Sequence, residues 1–338
     1  MSARKAAPAG KSPRMLDAPL GQGLALQRIV RNARQLRMHH GLIVCGPGGA
    51  GKTTVARWIA AALLCASDID LDGPCGTCRS CRRVATSQHP DFHEVSVLEG
   101  KRDIAIEQLR NMQGDLQRLA IEGRARVVVI DPAESLNEPG QNALLKTLEE
   151  PGESTFLLLV TSRLESLLPT VRSRCESLQV LRLTDEVVAQ QLELRNSGLA
   201  KNHAQAVLLA RGRLGVALEA CTEQAVQMHD LVQELGSHTK PLRAVATARA
   251  VIAGSEGRAG ATQRARMFLE LVRNMCSGRL HALAEGNGGS YVPAPTEPWT
   301  SIAELTLFAE KDLDLQIPAE QALCGLFLQW SRLLPQDG

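Results

Sequence analysis

Residues 46–53 read Gly-Pro-Gly-Gly-Ala-Gly-Lys-Thr, a complete G-x-x-x-x-G-K-[ST] loop. The apolar run Leu42-Ile43-Val44-Cys45 leads into it, and a stretch of helix formers, Thr54 to Leu64, follows. Strand, glycine loop and helix in that order make an anion cradle, because loop N–H groups and the helix N-terminus converge on one spot. Gly46, Gly48, Gly49 and Gly51 let the main chain approach phosphate oxygens closely. Lys52 would reach the β/γ-phosphates, Thr53 would hold Mg²⁺, and Thr54 completes the nucleotide-binding set. The bland alternative is a glycine-rich turn before an ordinary helix, which the flanking elements disfavour. The motif predicts binding of a nucleoside triphosphate such as ATP with Mg²⁺.

A second acid belongs to the same site. The run Val127-Val128-Val129-Ile130 is a strand ended by Asp131-Pro132, and an acid at the tip of a neighbouring strand coordinates the same Mg²⁺ through its water shell. The next position, where efficient ATPases carry a water-orienting glutamate, is Pro132, and Glu134 lies further on. Positioning the attacking water is a large part of phosphoryl-transfer catalysis. Binding with little hydrolysis is therefore expected. The bland reading of Asp131 is a strand-end turn acid before proline.

Four of the nine cysteines, Cys65, Cys75, Cys78 and Cys81, fall within seventeen positions as C-x9-C-x2-C-x2-C. Two successive C-x-x-C steps fit thiolates closing on a tetrahedral Zn²⁺, with Cys65 supplying the fourth ligand. A redox pair is the alternative, and His89 and His93 are back-up ligands, although His89 precedes a proline. A closed Cys₄ site leaves no open coordination position, so its role would be structural. The remaining cysteines sit mostly in apolar surroundings as small core residues. The third element is Ser173-Arg174-Cys175. An exposed arginine there could reach a neighbouring subunit's γ-phosphate as a finger acting in trans; taken alone, a surface arginine in an ordinary loop is the stronger reading.

The elements that would place these groups alternate between strand and helix. Residues 20–37 predict a helix, and 92–97 a strand. Leu109, Met112, Leu116 and Leu119 mark a helix from Ile106. Asn142 to Glu150 is a short helix stopped by Pro151-Gly152, and Phe156 to Val160 a buried strand before Thr161-Ser162. Alternation of this kind implies a parallel sheet covered on both faces. Beyond about Leu183 the pattern is helical: a start at Thr184-Asp185-Glu186, helices at 201–211 and 214–221, helix through 222–285, a Gly/Pro-rich break at 286–298, and helices again over 301–334. No internal repeat is apparent.

The totals set limits. A chain of 338 residues with 44% hydrophobic and 22% charged residues implies two or three ordinary globular domains. No apolar run approaches the ~18 residues of a membrane span, and no signal peptide opens the chain. A cytoplasmic, reducing location is expected, where clustered cysteines favour metal over disulfides. Net charge is +2, but Arg4, Lys5, Lys11 and Arg14 occupy an acid-free leader; removing those four of 38 basic residues leaves 34 against 36 acidic. Neither that balance nor the 3% aromatic content indicates a nucleic-acid-binding surface. Arg79, Arg82 and Arg83 beside the cysteines raise a DNA-reading zinc finger as a weaker idea, with a solvated rim as its plainer alternative.

Taken together, Asn142-Ala143-Leu144-Leu145-Lys146-Thr147-Leu148-Glu149-Glu150-Pro151, Ser173-Arg174-Cys175 and the cysteine insertion directly after the P-loop helix resemble the clamp-loader branch of the AAA+ ATPases, specifically its bacterial DNA polymerase III members. The matching motifs span roughly residues 20–220. The resemblance implies an α/β AAA+ parallel-sheet domain over 19–183 with a Cys₄ zinc module at 65–81. A leader at 1–18, a helical lid over 184–225 and an all-helical collar over 226–338 would complete the chain. The motor subunits of this family carry Asp-Glu where this chain has Asp131-Pro132, and their lid sensor arginine falls near Gly215, with Arg213 two places early. Losing both while keeping Arg174 resembles a non-motor subunit that completes its neighbour's ATP site. The implied partners are tau/gamma and delta subunits, the beta sliding clamp and primed DNA, with no membrane. Polymerase activity would belong to the holoenzyme. The alternative is a self-sufficient ATPase of the tau/gamma type.

Overall fold

The computed structural model describes residues 18–67, 72–98, 101, 103–116, 120–122, 124–195, 203–221, 228, 230–232, 235, 244–255, 257–286 and 298–333. Residues 1–17 of the leader expected at 1–18, the lid–collar boundary expected at 225/226, Leu119 and most of the Gly/Pro break lie outside them. Two compact units emerge: Met1–Gln191 with Ala210–Gly215, and Leu192–Leu209 with Val216–Gly338.

The first unit is a five-stranded parallel sheet in the order β2-β3-β4-β1-β5. Its strands are β1 (Gly41–Cys45), β2 (Phe92–Val95), β3 (Arg126–Ile130), β4 (Thr155–Thr161) and β5 (Glu176–Gln179). β1 lies between β4 and β5, with Val44 opposite Val160 and Leu178. β3 lies between β2 and β4. β1, β3 and β4 are buried along their whole length, as unbroken apolar runs in a two-faced parallel sheet must be.

The period-2 alternation of strand side chains divides each strand between two cores. Leu42, Val44, Val127, Val129, Leu158 and Val160 join the helices α1 (Gly23–Arg34) and α2 (Lys52–Leu64). Ile43, Val128, Ile130, Leu157 and Leu159 join α4 (Ile106–Leu116) and α5 (Glu138–Glu149) on the other face. Helix α3 (Arg79–Ala85) sits in the cysteine insertion. There Gly73 lies against the Trp58 indole of α2, where an added Cβ would fall 2.7 Å from the ring. Helix α5 starts earlier than expected, at Glu138, because Asn137 accepts from the Gly140 N–H and caps the first turn. A short helix, α6 (Pro169–Arg172), turns the chain back to β5.

The second unit is helical. Helices Ala244–Ile252, Gly257–Gly286, Trp299–Asp314 and Ala319–Leu333 enclose Phe268, Phe327 and Trp330, all fully buried. Phe268 meets Phe327 edge-on with centroids 5.5 Å apart, and Arg279 lies over the Trp299 ring. Among the described residues, no helix is long and apolar enough to cross a membrane.

Candidate nucleotide and metal sites

The P-loop leaves the tip of β1 and enters α2. Gly46 has φ +151, and an added Cβ would lie 2.6 Å from the Val180 carbonyl oxygen, so only glycine fits. Gly51 caps α2 at φ +90. A Cβ on Gly48 would meet nothing within 4 Å, so the loop surface lies open where phosphate would approach. These features fit a nucleotide's phosphates.

The charged groups are arranged around that loop. Lys52 is only 8% exposed, and its ammonium donates to the Pro47 carbonyl and to Ser162 Oγ, both at 2.9 Å. Burial lowers its pKa, opposed by the charges of Glu134 and then Asp131. Thr53 Oγ1 donates to Asp131 Oδ2 at 2.6 Å, uniting the two predicted Mg²⁺ ligands. Burial raises the Asp131 pKa, while the Thr53 bond and Lys52 charge pull it down. Thr54 is exposed on the first turn of α2.

No carboxylate can come from Pro132, but two glutamates stand close by. Glu94 on β2 takes a bidentate pair from Arg57 at 2.6 and 2.9 Å, which ties it to α2. Glu134 accepts the Ser162 backbone N–H on both oxygens, at 3.1 and 3.3 Å. The sequence shows Glu134 and the Thr161-Ser162 strand end, but nothing in it shows that Ser162 joins Lys52 to Glu134. The only hint was that β3 and β4 are both long apolar strands, which pair side by side.

Gly215, the expected sensor position, packs against the P-loop. Gly215 donates its N–H to the Gly49 carbonyl at 2.9 Å. A Cβ there would lie 3.1 Å from that oxygen and 3.2 Å from Gly49 Cα, a tight approach to which the P-loop backbone would have to yield by a few tenths of an ångström. Arg213 does not substitute; its Nε donates to the Ala210 carbonyl.

At the other end of α2, Cys65 is fully buried at the C-cap. The sulfurs of Cys65, Cys75, Cys78 and Cys81 all lie within 4.8 Å of one another, and Cys75 and Cys81 are 4.0 Å apart. Zn–S bonds of about 2.3 Å in a tetrahedron separate sulfurs by about 3.8 Å, so the set fits zinc. Backbone N–H groups of Cys75, Cys78 and Cys81 point at the sulfurs of Cys65, Cys75 and Cys78. Burial raises the Cys75 thiol pKa, but hydrogen bonds from Cys78 and Thr77 outweigh it and bring it down to about 6. Cys81, more deeply buried, moves up.

The histidines lie outside this cluster. His89 is buried; its Nε2 lies 3.2 Å from Glu122, and its Nδ1 accepts the Asp91 N–H. Arg83 also pairs with Glu122, and Arg82 donates to the Thr77 carbonyl. Both arginines therefore brace the insertion, while Arg79 is exposed.

Arg174 follows α6. It does not project freely: its Nη2 pairs with Glu149 Oε1 at 2.8 Å, and its Nη1 donates to the Thr170 carbonyl at 3.1 Å. The pair is solvent-facing, with 38% and 50% of the two side chains exposed, and such pairs contribute about 0–1 kcal/mol. The expected outward guanidinium is thus held on its own domain by a bond that breaks cheaply.

A P-loop at the tip of a central strand, an acid at the tip of the next strand but one, and the sheet order 2-3-4-1-5 define an AAA+ domain. Residues 21–184 match the protein family described as "DNA polymerase III, delta subunit". The chain is 40% identical over 136 residues to the DNA polymerase III subunit delta' of Pseudomonas aeruginosa, covering 40% of this chain and 41% of that protein. It is 32% identical over 189 residues to the delta' subunit of Haemophilus influenzae, covering 56% of this chain and 57% of that one. The Escherichia coli tau subunit is 32% identical over 222 residues, 64% of this chain and 34% of the relative. The alignments thus span about a third to somewhat over half of these relatives. Over residues 21–184 the chain is thus similar to DNA polymerase III delta-type and delta-prime subunits.

Proposed function

We propose that this chain is the non-motor subunit of a clamp loader: it binds ATP or ADP weakly or statically, hydrolyses it little, and lends Arg174 to the ATP site of a neighbouring tau/gamma-type subunit. With delta and those motors it would open the ring-shaped beta clamp and place it on primed DNA in the cytoplasm. The single observation that carries this reading is the site around Asp131. Lys52, Thr53 and Asp131 are assembled, while the next residue is Pro132, Glu94 is tied up by Arg57, and Gly215 stands where a sensor arginine would begin. Phosphate-binding groups are present, while the positions expected to hold a water-positioning glutamate and a sensor arginine hold Pro132 and Gly215.

When bound, Mg²⁺ would neutralise phosphate charge between Thr53 and Asp131. The chain's own part is to cradle phosphates with the loop amides and Lys52. Zn²⁺ on the four cysteines would hold the insertion against α2, contributing about 10–16 kcal/mol of metal-binding energy in a strongly pH-dependent way.

The test is Arg174→Ala in a complex reconstituted with tau/gamma and delta subunits. A finger is worth about 10³–10⁵ in rate at the site it serves, so DNA-stimulated turnover and clamp loading should drop severalfold with assembly intact. Unchanged turnover removes the finger role. The intact Thr53–Asp131 pair favours a second reading, a self-sufficient ATPase, which predicts turnover by the lone chain that Lys52→Ala abolishes.

A further inference from the structure

Ser162 is the junction of two opposite charges. Its hydroxyl accepts the Lys52 ammonium at 2.9 Å, and its backbone N–H is taken by both oxygens of Glu134. It sits exposed just past the end of β4, beside the strand that carries the P-loop. A buried ammonium on a P-loop and a donor at the adjacent strand end are the kind of groups a terminal phosphate oxygen seeks. Here a carboxylate of the chain itself already holds one of them.

We propose that Glu134 is a built-in stand-in for the terminal phosphate, making this P-loop selective for a nucleoside diphosphate over a triphosphate. The inference rests on the reading that the P-loop binds nucleotide. A diphosphate can use the loop amides, the start of α2 and Lys52 without displacing Glu134. A third phosphate must either approach an anionic carboxylate or expel it from Ser162. The charges facing Lys52 agree: Glu134 and Asp131 both support its protonation, so one lysine already answers two acids. Glu94, the other carboxylate in the area, is neutralised by Arg57 and adds nothing to the discrimination.

The experiment is calorimetric titration of the full-length chain with ADP, ATP and a non-hydrolysable ATP analogue in Mg²⁺. It compares the wild type, Glu134→Gln, Glu134→Ala and Lys52→Ala. Glutamine keeps the size and an acceptor for Ser162 while removing the charge. ADP should bind the wild type more tightly than the analogue, and both Glu134 variants should gain about tenfold for ATP and the analogue, with ADP affinity little changed. Equal ATP affinities with and without Glu134, alongside binding that Lys52→Ala abolishes, overturn this inference and leave nucleotide binding standing. A matching gain for ADP overturns it too, because the carboxylate would then repel any phosphate. Absence of binding to the wild type and both Glu134 variants overturns this inference and the nucleotide reading together.

Discussion

At the N-terminal end of α2, Lys52, Thr53 and Ser162 each hold a partner that a ligand can displace; at its C-terminal end, four sulfurs converge on one another, with backbone N–H groups aimed at three of them. The helix between them is a rigid spacer, with nine of its thirteen residues buried, including Lys52 and the run from Ile59 to Leu64. On the proposed reading, one end is a site of exchange and the other a site of closure. Reversible ligands need groups whose interim partners cost little to remove. A structural metal needs groups with few competing partners, so that metal affinity becomes folding energy.

The largest expected effect lies at the closed end. Cys78→Ser, or removal of metal by a strong chelator, should lower the thermal midpoint by ten degrees or more, on the order of the loss of a structural ligand. Nucleotide affinity of the protein that stays folded should change little. A matching loss at the P-loop would mean that the two ends are coupled through α2 rather than separate. Bound zinc should be measurable at one equivalent by atomic absorption.

Gly46→Ala comes next, at the exchange end. The forced contact with the Val180 carbonyl and the φ of +151 should cost about 2–3 kcal/mol and weaken nucleotide binding, seen by denaturant titration and calorimetry. Retained zinc in that variant would sharpen the contrast between the ends. The smallest effect is expected from Glu149→Ala. Its pair with Arg174 is solvent-facing, so stability should move by less than about 1 kcal/mol. ATPase of the reconstituted complex should hold or rise, since the finger is then released. A clear fall in turnover would show that Glu149 positions Arg174 rather than parking it.

The cysteine cluster was legible in sequence because its members are local: a C-x-x-C-x-x-C run plus one helix-end cysteine stand out by spacing alone. The P-loop and Asp131 were legible for the same reason, each being a motif on a strand tip. What escaped depended on which strands pair. Glu134 and Ser162 are 28 positions apart, and meet because β3 and β4 are neighbours in a register that only the fold sets. Arg174 and Glu149 meet across α5 and α6, so an arginine read as projecting outward is held down. β5, Glu-Ser-Leu-Gln, escaped as an edge strand: with one sheet neighbour and one buried residue, it carries almost no apolar signal. Helix α5 begins at Glu138 rather than at the expected Asn142 because Asn137 accepts the Gly140 N–H and caps a first turn that apolar spacing does not mark. The lid–collar boundary lies on residues outside those described.

One assay meets the central claim head-on: nucleotide binding and steady-state ATP turnover by the purified chain alone, with and without primed DNA. A complete Lys52–Thr53–Asp131 cradle beside Pro132 and Gly215 predicts saturable binding lost in Lys52→Ala, and turnover no higher than the Lys52→Ala background. DNA-stimulated hydrolysis by the lone wild-type chain, abolished by Lys52→Ala, would contradict it.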